Sequence, residues 1–454
     1  MLIHSSGLSK VKDSVIKKIL LGNEPKPELM AILVVYFVQG ILGLARLAIS
    51  FFLKDELHLS PVEVSVLLGI VALPWMIKPL FGFVSDGLPI FGYRRRPYLV
   101  LSGILGAAAW VSLSTLAYST WVATIAIALS SLSVAFSDVI VDSLVVERAR
   151  VESQAKVGSL QSLCWGTTAL GGLITAYFSG LLLEYFSTRT VFLVTAIFPL
   201  IISLVAWFIN ETPVNKDIQQ QPDQTHPLTI KTQIKQLGQA FTQKAIWIPT
   251  AFIFIWQSTP SGEAAFFYFF TNELHFAPEF LGRVHLVTNL ASLIGIWIFQ
   301  RYFKSVSFRI ICGWSIVISA ALRMTMLLLV THTNRALGID DHWFSLGDSL
   351  ILAIMGQIAF MPIMVLAARI CPLGIEATLF ALLMSIFNLG GAISKEIGAI
   401  IMHWLGITDT NFDTLWILVI ITNVLALLPL LFLNFLSDTE ETNIKTFPAN
   451  SVNS

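Results

Sequence analysis

Apolar residues fill this chain in runs of about 20, set apart by short polar or charged breaks, and a run of that length crosses the hydrocarbon core of a bilayer. Twelve spans are predicted, near 29–53, 63–85, 97–117, 121–147, 155–183, 189–210, 244–270, 279–302, 308–331, 345–370, 374–403 and 414–436. Inside lipid only helices and closed barrels satisfy every backbone N–H and C=O, and continuous apolar runs without period-two alternation select helices. Composition agrees: 55% of the 454 residues are hydrophobic and 12% charged, with a mean hydropathy of +0.77. A soluble chain carrying that surface would aggregate.

The chain has no net charge, yet its basic residues are unevenly placed. Lys10, Lys12, Lys17, Lys18 and Lys26, then Arg94–Arg96, then Arg148, Arg150 and Lys156 fall on the side of the N-terminus, as do Lys216, Lys231, Lys235, Lys244, Arg301, Lys304, Arg309 and Lys445. The opposite loops hold Lys54, Arg189 and Arg335. The positive-inside rule therefore predicts both termini in the cytoplasm of a multi-pass protein, expected in a bacterial plasma membrane. It also accounts for the basic clusters without a nucleic-acid partner. The first 28 residues show no apolar core followed by a small-residue cleavage site, so no secretory signal is expected. Cys164, Cys312 and Cys371 have unrelated spacings, so neither a disulfide framework nor a metal site is expected, and no cofactor is implied.

Residues 211–243, with Gln219–Gln221, Pro222 and Pro227, break the apolar pattern and divide the chain six spans from six. The expected organisation is a cytoplasmic segment 1–28, a bundle 29–210, a linker 211–243, a bundle 244–436 and a tail 437–454. An internal repeat supports the division: Leu170-Gly171-Gly172 recurs as Leu389-Gly390-Gly391, and Tyr36-Phe37-Val38-Gln39 loosely as Phe254-Ile255-Trp256-Gln257.

Ionisable groups deep in a membrane cost several kcal/mol unless they meet water or a partner, which makes each a functional candidate. Asp138 and Asp142 lie four residues apart, one turn along one face of span four, with Asp138 about 15 Å from the cytoplasmic end. Two carboxylates this close in a low dielectric do not both ionise easily, which suits reversible protonation. A structural ion pair with Arg46 or Lys78 is the competing reading. Arg46, Arg283 and Lys395 are the cationic candidates for the same cavity, although Arg283 could snorkel outward and Lys395 could pair with Glu396. Gln39, Gln257, Glu263 and Gln357 add polar positions on spans one, seven and ten, where glutamines commonly bond between helices. Arg369 reads as a cytoplasmic anchor.

Between spans two and three, Gly82 and Asp86 precede a short loop that ends in Gly92-Tyr93-Arg94-Arg95-Arg96. This resembles the signature loop of the major facilitator superfamily. The resemblance implies an all-α membrane protein with twelve transmembrane helices in two six-helix bundles, spans one, four, seven and ten lining the cavity. It also implies a cytoplasmic gate of Asp86, Arg94, Arg95, Arg96, Glu147 and Arg148, in which the acid meets the basic loop and the start of span eleven near Gly374.

A narrower resemblance rests on Gln39-Gly40, Phe52-Leu53-Lys54-Asp55-Glu56-Leu57 with Leu59-Ser60-Pro61, Leu73-Pro74-Trp75-Met76-Ile77-Lys78-Pro79, Pro89-Ile90-Phe91-Gly92-Tyr93 and Ser137-Asp138 with Asp142 and Glu147-Arg148-Ala149-Arg150. These segments look like the folate-biopterin transporter family. That implies proton-coupled movement of folates or pterins by a monomeric carrier with a small-molecule substrate. A carboxylate such as Asp138 or Asp142 can accept two N–H bonds from a pteridine edge, and a folate tail needs cations such as Arg46, Arg283 or Lys395. Two other readings stay open: a carrier for an amino acid or S-adenosylmethionine-like solute, and a pigment-binding or assembly factor, for which His285 and His403 are the span histidines. An enzyme is not expected, since no metal pair, nucleophile elbow or phosphate loop occurs.

Overall fold

A computed structural model describes residues 20, 23–149, 154–211, 213, 243–303, 306–369 and 376–436. Much of the predicted linker, the tail and Gly374 lie outside them. The described residues form twelve helical segments: α1 (Pro27–Glu56), α2 (Pro61–Gly87), α3 (Arg96–Thr115), α4 (Thr120–Ala149), α5 (Gln154–Tyr185), α6 (Thr188–Phe208), α7 (244–273), α8 (Pro278–Phe303), α9 (Phe308–Val330), α10 (Asp341–Arg369), α11 (Glu376–Trp404) and α12 (Leu415–Phe435). Ten of them contain stretches long and apolar enough to cross a membrane; α7 and α11 are outside that set. No strand forms among the described residues, and one isolated bridge joins Ile90 to Tyr93.

Several segments are composite. α1 loosens at Leu42–Gly43, α2 at Ala72 and Ile77, and α7 carries Pro249 internally and breaks over Ser258–Gly262. A proline removes one helix donor, and a break at membrane depth leaves backbone groups that a neighbour must satisfy. In α7 the neighbour is α11: the Ser261 N–H donates to Ser394 O at 3.1 Å, and Ser394 Oγ donates to Thr259 O.

The chain forms two compact units, residues 1–49 with 80–221 and residues 50–79 with 222–454. The second unit therefore includes the end of α1 and the start of α2. Lys54 Nζ donates to Asn272 Oδ1 at 2.8 Å, Tyr268 OH to Leu59 O, Ser65 Oγ to Lys395 O at 2.9 Å and Asn388 Nδ2 to Trp75 O at 3.3 Å. Such bonds outlast competition because lipid offers no alternative partner.

Within each unit the duplicated motifs meet. In the first, α1 and α5 cross where a Cβ on Gly40 would lie 2.2 Å from Thr168 O and one on Gly171 2.6 Å from Phe37 O. In the second, Gly390 and Gly391 of α11 lie against Gln257 of α7, and a Cβ on Gly398 would fall 1.9 Å from Ser261 O. Helices in lipid gain nothing from a hydrophobic drive between them, so small residues that let backbones approach decide where they pack.

A further repeat closes the ends of α1 and α7. Phe52–Glu56 and Phe269–Glu273 are both π-helical, His58 and His275 both take a left-handed φ (52° and 54°), and Pro61 and Pro278 each open the next helix. The hydrogen bonds match as well: Leu57 N to Phe52 O and Leu59 N to Leu53 O, against Leu274 N to Phe269 O and Phe276 N to Phe270 O. At the other ends, Arg96 Nε donates to Ile209 O at 2.6 Å and Arg309 Nε to Leu436 O at 2.5 Å, so each unit ties the start of its third helix to the exit of its sixth.

Candidate functional site

In the first unit α1 and α4 bring Tyr36 to Asp142. The phenol donates to Asp142 Oδ1 at 2.5 Å, and its ring belongs to the buried core with Ile140, Val141 and Leu144. Thr168 Oγ1 bonds Tyr36 O at 3.1 Å and fixes the same turn of α1 against α5. Asp138 is half-buried and Asp142 exposed, so the pair sits at the edge of the core. Counted along α4 from Ala149, Asp138 stands about 16 Å and Asp142 about 10 Å from that end of the helix. One turn along α1 from Tyr36, Gln39 buries its Nε2 with no hydrogen-bond partner among the described residues. Arg46, beyond the Gly43 turn, is exposed.

The other cationic candidates lie in the second unit. Lys395 is half-buried on α11, and a Cβ on Gly69 of α2 would lie 2.2 Å from Glu396 Oε1 beside it. Arg283 has its side chain 58% exposed and donates to Glu279 one turn earlier on α8. Arg323 is exposed on α9, while Thr325 donates to Asp348 of α10.

The loop between α2 and α3 is built around Arg95. Its side chain is 8% exposed, pairs with Asp86 Oδ1 at 2.8 Å and donates to Ser85 Oγ at 2.8 Å. The turn reverses through Phe91 and Gly92, with φ of 52° and 83°, and Ile90 and Tyr93 exchange backbone hydrogen bonds across it. Glu211, at the exit of α6, caps the entry of α3: its carboxylate accepts from Arg94 N (2.5 Å), Arg95 N (3.0 and 3.1 Å) and Arg96 N (3.0 Å). These are the last N–H groups before Pro97, which has none. The negative charge also sits at the positive end of the helix dipole. Arg94 Nε is buried without a partner among the described residues, and the Arg96 guanidinium lies 5.6 Å from the Tyr93 ring centre. Glu147 and Arg148 fall on the last turn of α4, and their side chains lie outside the described residues.

Two residues of these clusters carry little sequence signal. Tyr36 is an aromatic in an apolar run, and nothing in its spacing links it to Asp142. Glu211 is visible only as an acid before Pro213 at the end of a span.

Among solved structures the chain is similar to a D-xylose–proton symporter (TM-score 0.68, 15% identity, 91% of this chain and 99% of that one). It is also similar to a bacterial homologue of the human lysosomal transporter Spinster (TM-score 0.62, 12% identity, 91% and 95%). The fold is that of major facilitator carriers, and ten helices among the described residues, long and apolar enough to cross a membrane, make this a multi-pass membrane protein. The BT1 family model matches residues 39–449, and the chain belongs to that family. A folate-biopterin transporter of Synechocystis sp. is 60% identical over 420 residues, covering 92% of this chain and 84% of that protein. A probable folate-biopterin transporter 2 of Arabidopsis thaliana (32%; 90% and 82%) and a putative folate transporter 2 of Plasmodium berghei (31%; 90% and 89%) are also similar.

Proposed function

We propose that the protein is a secondary transporter of folates or pterins, coupled to protons and working by alternating access. The observation that carries this reading is the 60% identity, over nearly the whole chain, to a folate-biopterin transporter. The chemistry of the first unit supports it. A 2-amino-4-oxopteridine offers adjacent N–H donors, and the carboxylate of Asp142, oriented by the Tyr36 phenol, has the acceptor chemistry that such an edge needs. Asp138, one turn away, supplies a second carboxylate, so a proton taken up on one side and released on the other changes the charge of the pair. Arg46, Arg283 and Lys395 are the cations assigned to the glutamate tail of a folate, with Gln39 as a neutral donor. Asp86, Arg94, Arg95, Arg96, Glu147 and Arg148 are assigned to the cytoplasmic gate. Six spans on either side of a cytoplasmic linker, both termini inside, a monomer and a bacterial plasma membrane complete the reading.

The test is uptake of radiolabelled folate and biopterin into proteoliposomes with an imposed pH gradient. Wild-type protein should accumulate both. Asp138→Asn and Asp142→Asn should abolish accumulation while the protein still inserts, and Arg46→Gln should depress folate uptake more than biopterin uptake. Wild-type rates in both aspartate variants would remove the pair from the mechanism. Uptake of an amino acid or S-adenosylmethionine with no response to either pteridine would replace the substrate.

A further inference from the structure

In the second unit, α7, α10 and α11 each contribute one ring to an aromatic cluster. The Trp256 centroid is 6.4 Å from Phe360 and 6.3 Å from Phe387, both at an interplanar angle of 31°, and Phe360 and Phe387 are 5.8 Å apart and edge-on at 62°. Measured along each helix from its inner end, the three stand about 18, 14 and 16 Å deep, a common level near mid-membrane.

Two ordinary roles fit these rings poorly. Aromatics that anchor a protein at the headgroups are strongly exposed and sit at helix ends, as Trp343 (75%) and Trp404 (79%) do here. Aromatics that only fill a core are sealed, as Phe252 and Phe269 are at 1%. Trp256, Phe360 and Phe387 are half-buried at mid-depth. Trp256 and Phe387 pack against the buried core of Phe252, Ile253, Ile363 and Leu383, which holds the rings in place while leaving part of each uncovered. Gln357, three residues before Phe360 on α10, is also half-buried.

We propose that Trp256, Phe360 and Phe387 form the surface on which the pteridine ring of the substrate lies, with Trp256 as its main face. The proposal rests on the folate or pterin reading above. A flat, electron-poor bicycle stacks on an indole without help from hydrogen bonds, and two flanking phenyl rings limit its tilt.

Binding of folate and biopterin to the purified full-length protein in detergent, measured by calorimetry beside thermal melting, tests this. Trp256→Leu should weaken both ligands about tenfold, or 1.4 kcal/mol, in protein that still melts cooperatively. Trp256→Phe should recover most of the loss, because an aromatic face remains. Phe360→Leu should cost both ligands a smaller, equal factor. Unchanged affinity in Trp256→Leu, or a loss that Trp256→Phe does not recover, overturns the stacking surface while the transport reading stands. Wild-type protein that binds neither pteridine overturns both.

Discussion

Glu211 offers the sharpest test of how the loop between α2 and α3 is held. One carboxylate accepts four hydrogen bonds from three successive N–H groups, all at 2.5–3.1 Å, and none of those groups has a partner within its own helix. Losing a side-chain cap costs about 1–2 kcal/mol, and losing a negative charge at a helix start a further 0.3–1 kcal/mol. Because Glu211 is half-buried, water recovers part of this, leaving ~2 kcal/mol for Glu211→Ala and about half for Glu211→Gln. For a unit of this size that lowers its melting temperature by about 4–8 °C. Cys164 is a free, buried thiol of the first unit, so a thiol-reactive dye in a Cys312→Ser, Cys371→Ser background reports unfolding of that unit alone. Asp86→Asn is the comparison: it removes the partner of Arg95 but leaves the cap, and Asp86 is 56% exposed, so its melting shift should be smaller than that of Glu211→Ala. A melting temperature within 1 °C of wild type in Glu211→Ala, or a larger shift in Asp86→Asn, would refute the assignment of Glu211 as the principal brace.

Tyr36→Phe keeps the buried ring and removes the donor to Asp142, so folding should survive while the KM for pteridine uptake rises several-fold; an unchanged KM would separate Tyr36 from recognition. Gly40→Ala places a methyl 2.2 Å from Thr168 O and should destabilise the α1–α5 crossing by about 1–3 kcal/mol, whereas Gly172→Ala, with nothing within 4 Å, should leave the melting temperature equal or higher. Equal behaviour of the two glycine variants by the same thiol assay would mean that the close approach of α1 and α5 does not set their packing.

What the sequence determined by itself is everything that lipid dictates locally. A backbone in hydrocarbon must bond within its own segment, so each apolar run had to be a helix. The duplicated text was legible too: Gly171-Gly172 with Gly390-Gly391 and Gln39 with Gln257 mark the crossings α1–α5 and α7–α11. The matching Glu56-Leu57-His58 and Glu273-Leu274-His275, each three residues before a proline, were equally present as letters, but their meaning as π-turns ending in a left-handed histidine is a property of the backbone. Only the tertiary structure decided which groups meet. Arg95 was one of three adjacent arginines until burial singled it out for Asp86. Tyr36 found Asp142, Glu211 found the N–H groups of Arg94–Arg96, and Trp256, Phe360 and Phe387 converged from three helices. The reason is physical: in a membrane a side chain's surroundings are set by the rotation and depth of helices far apart in sequence, and an apolar run is compatible with many rotations until close packing selects one.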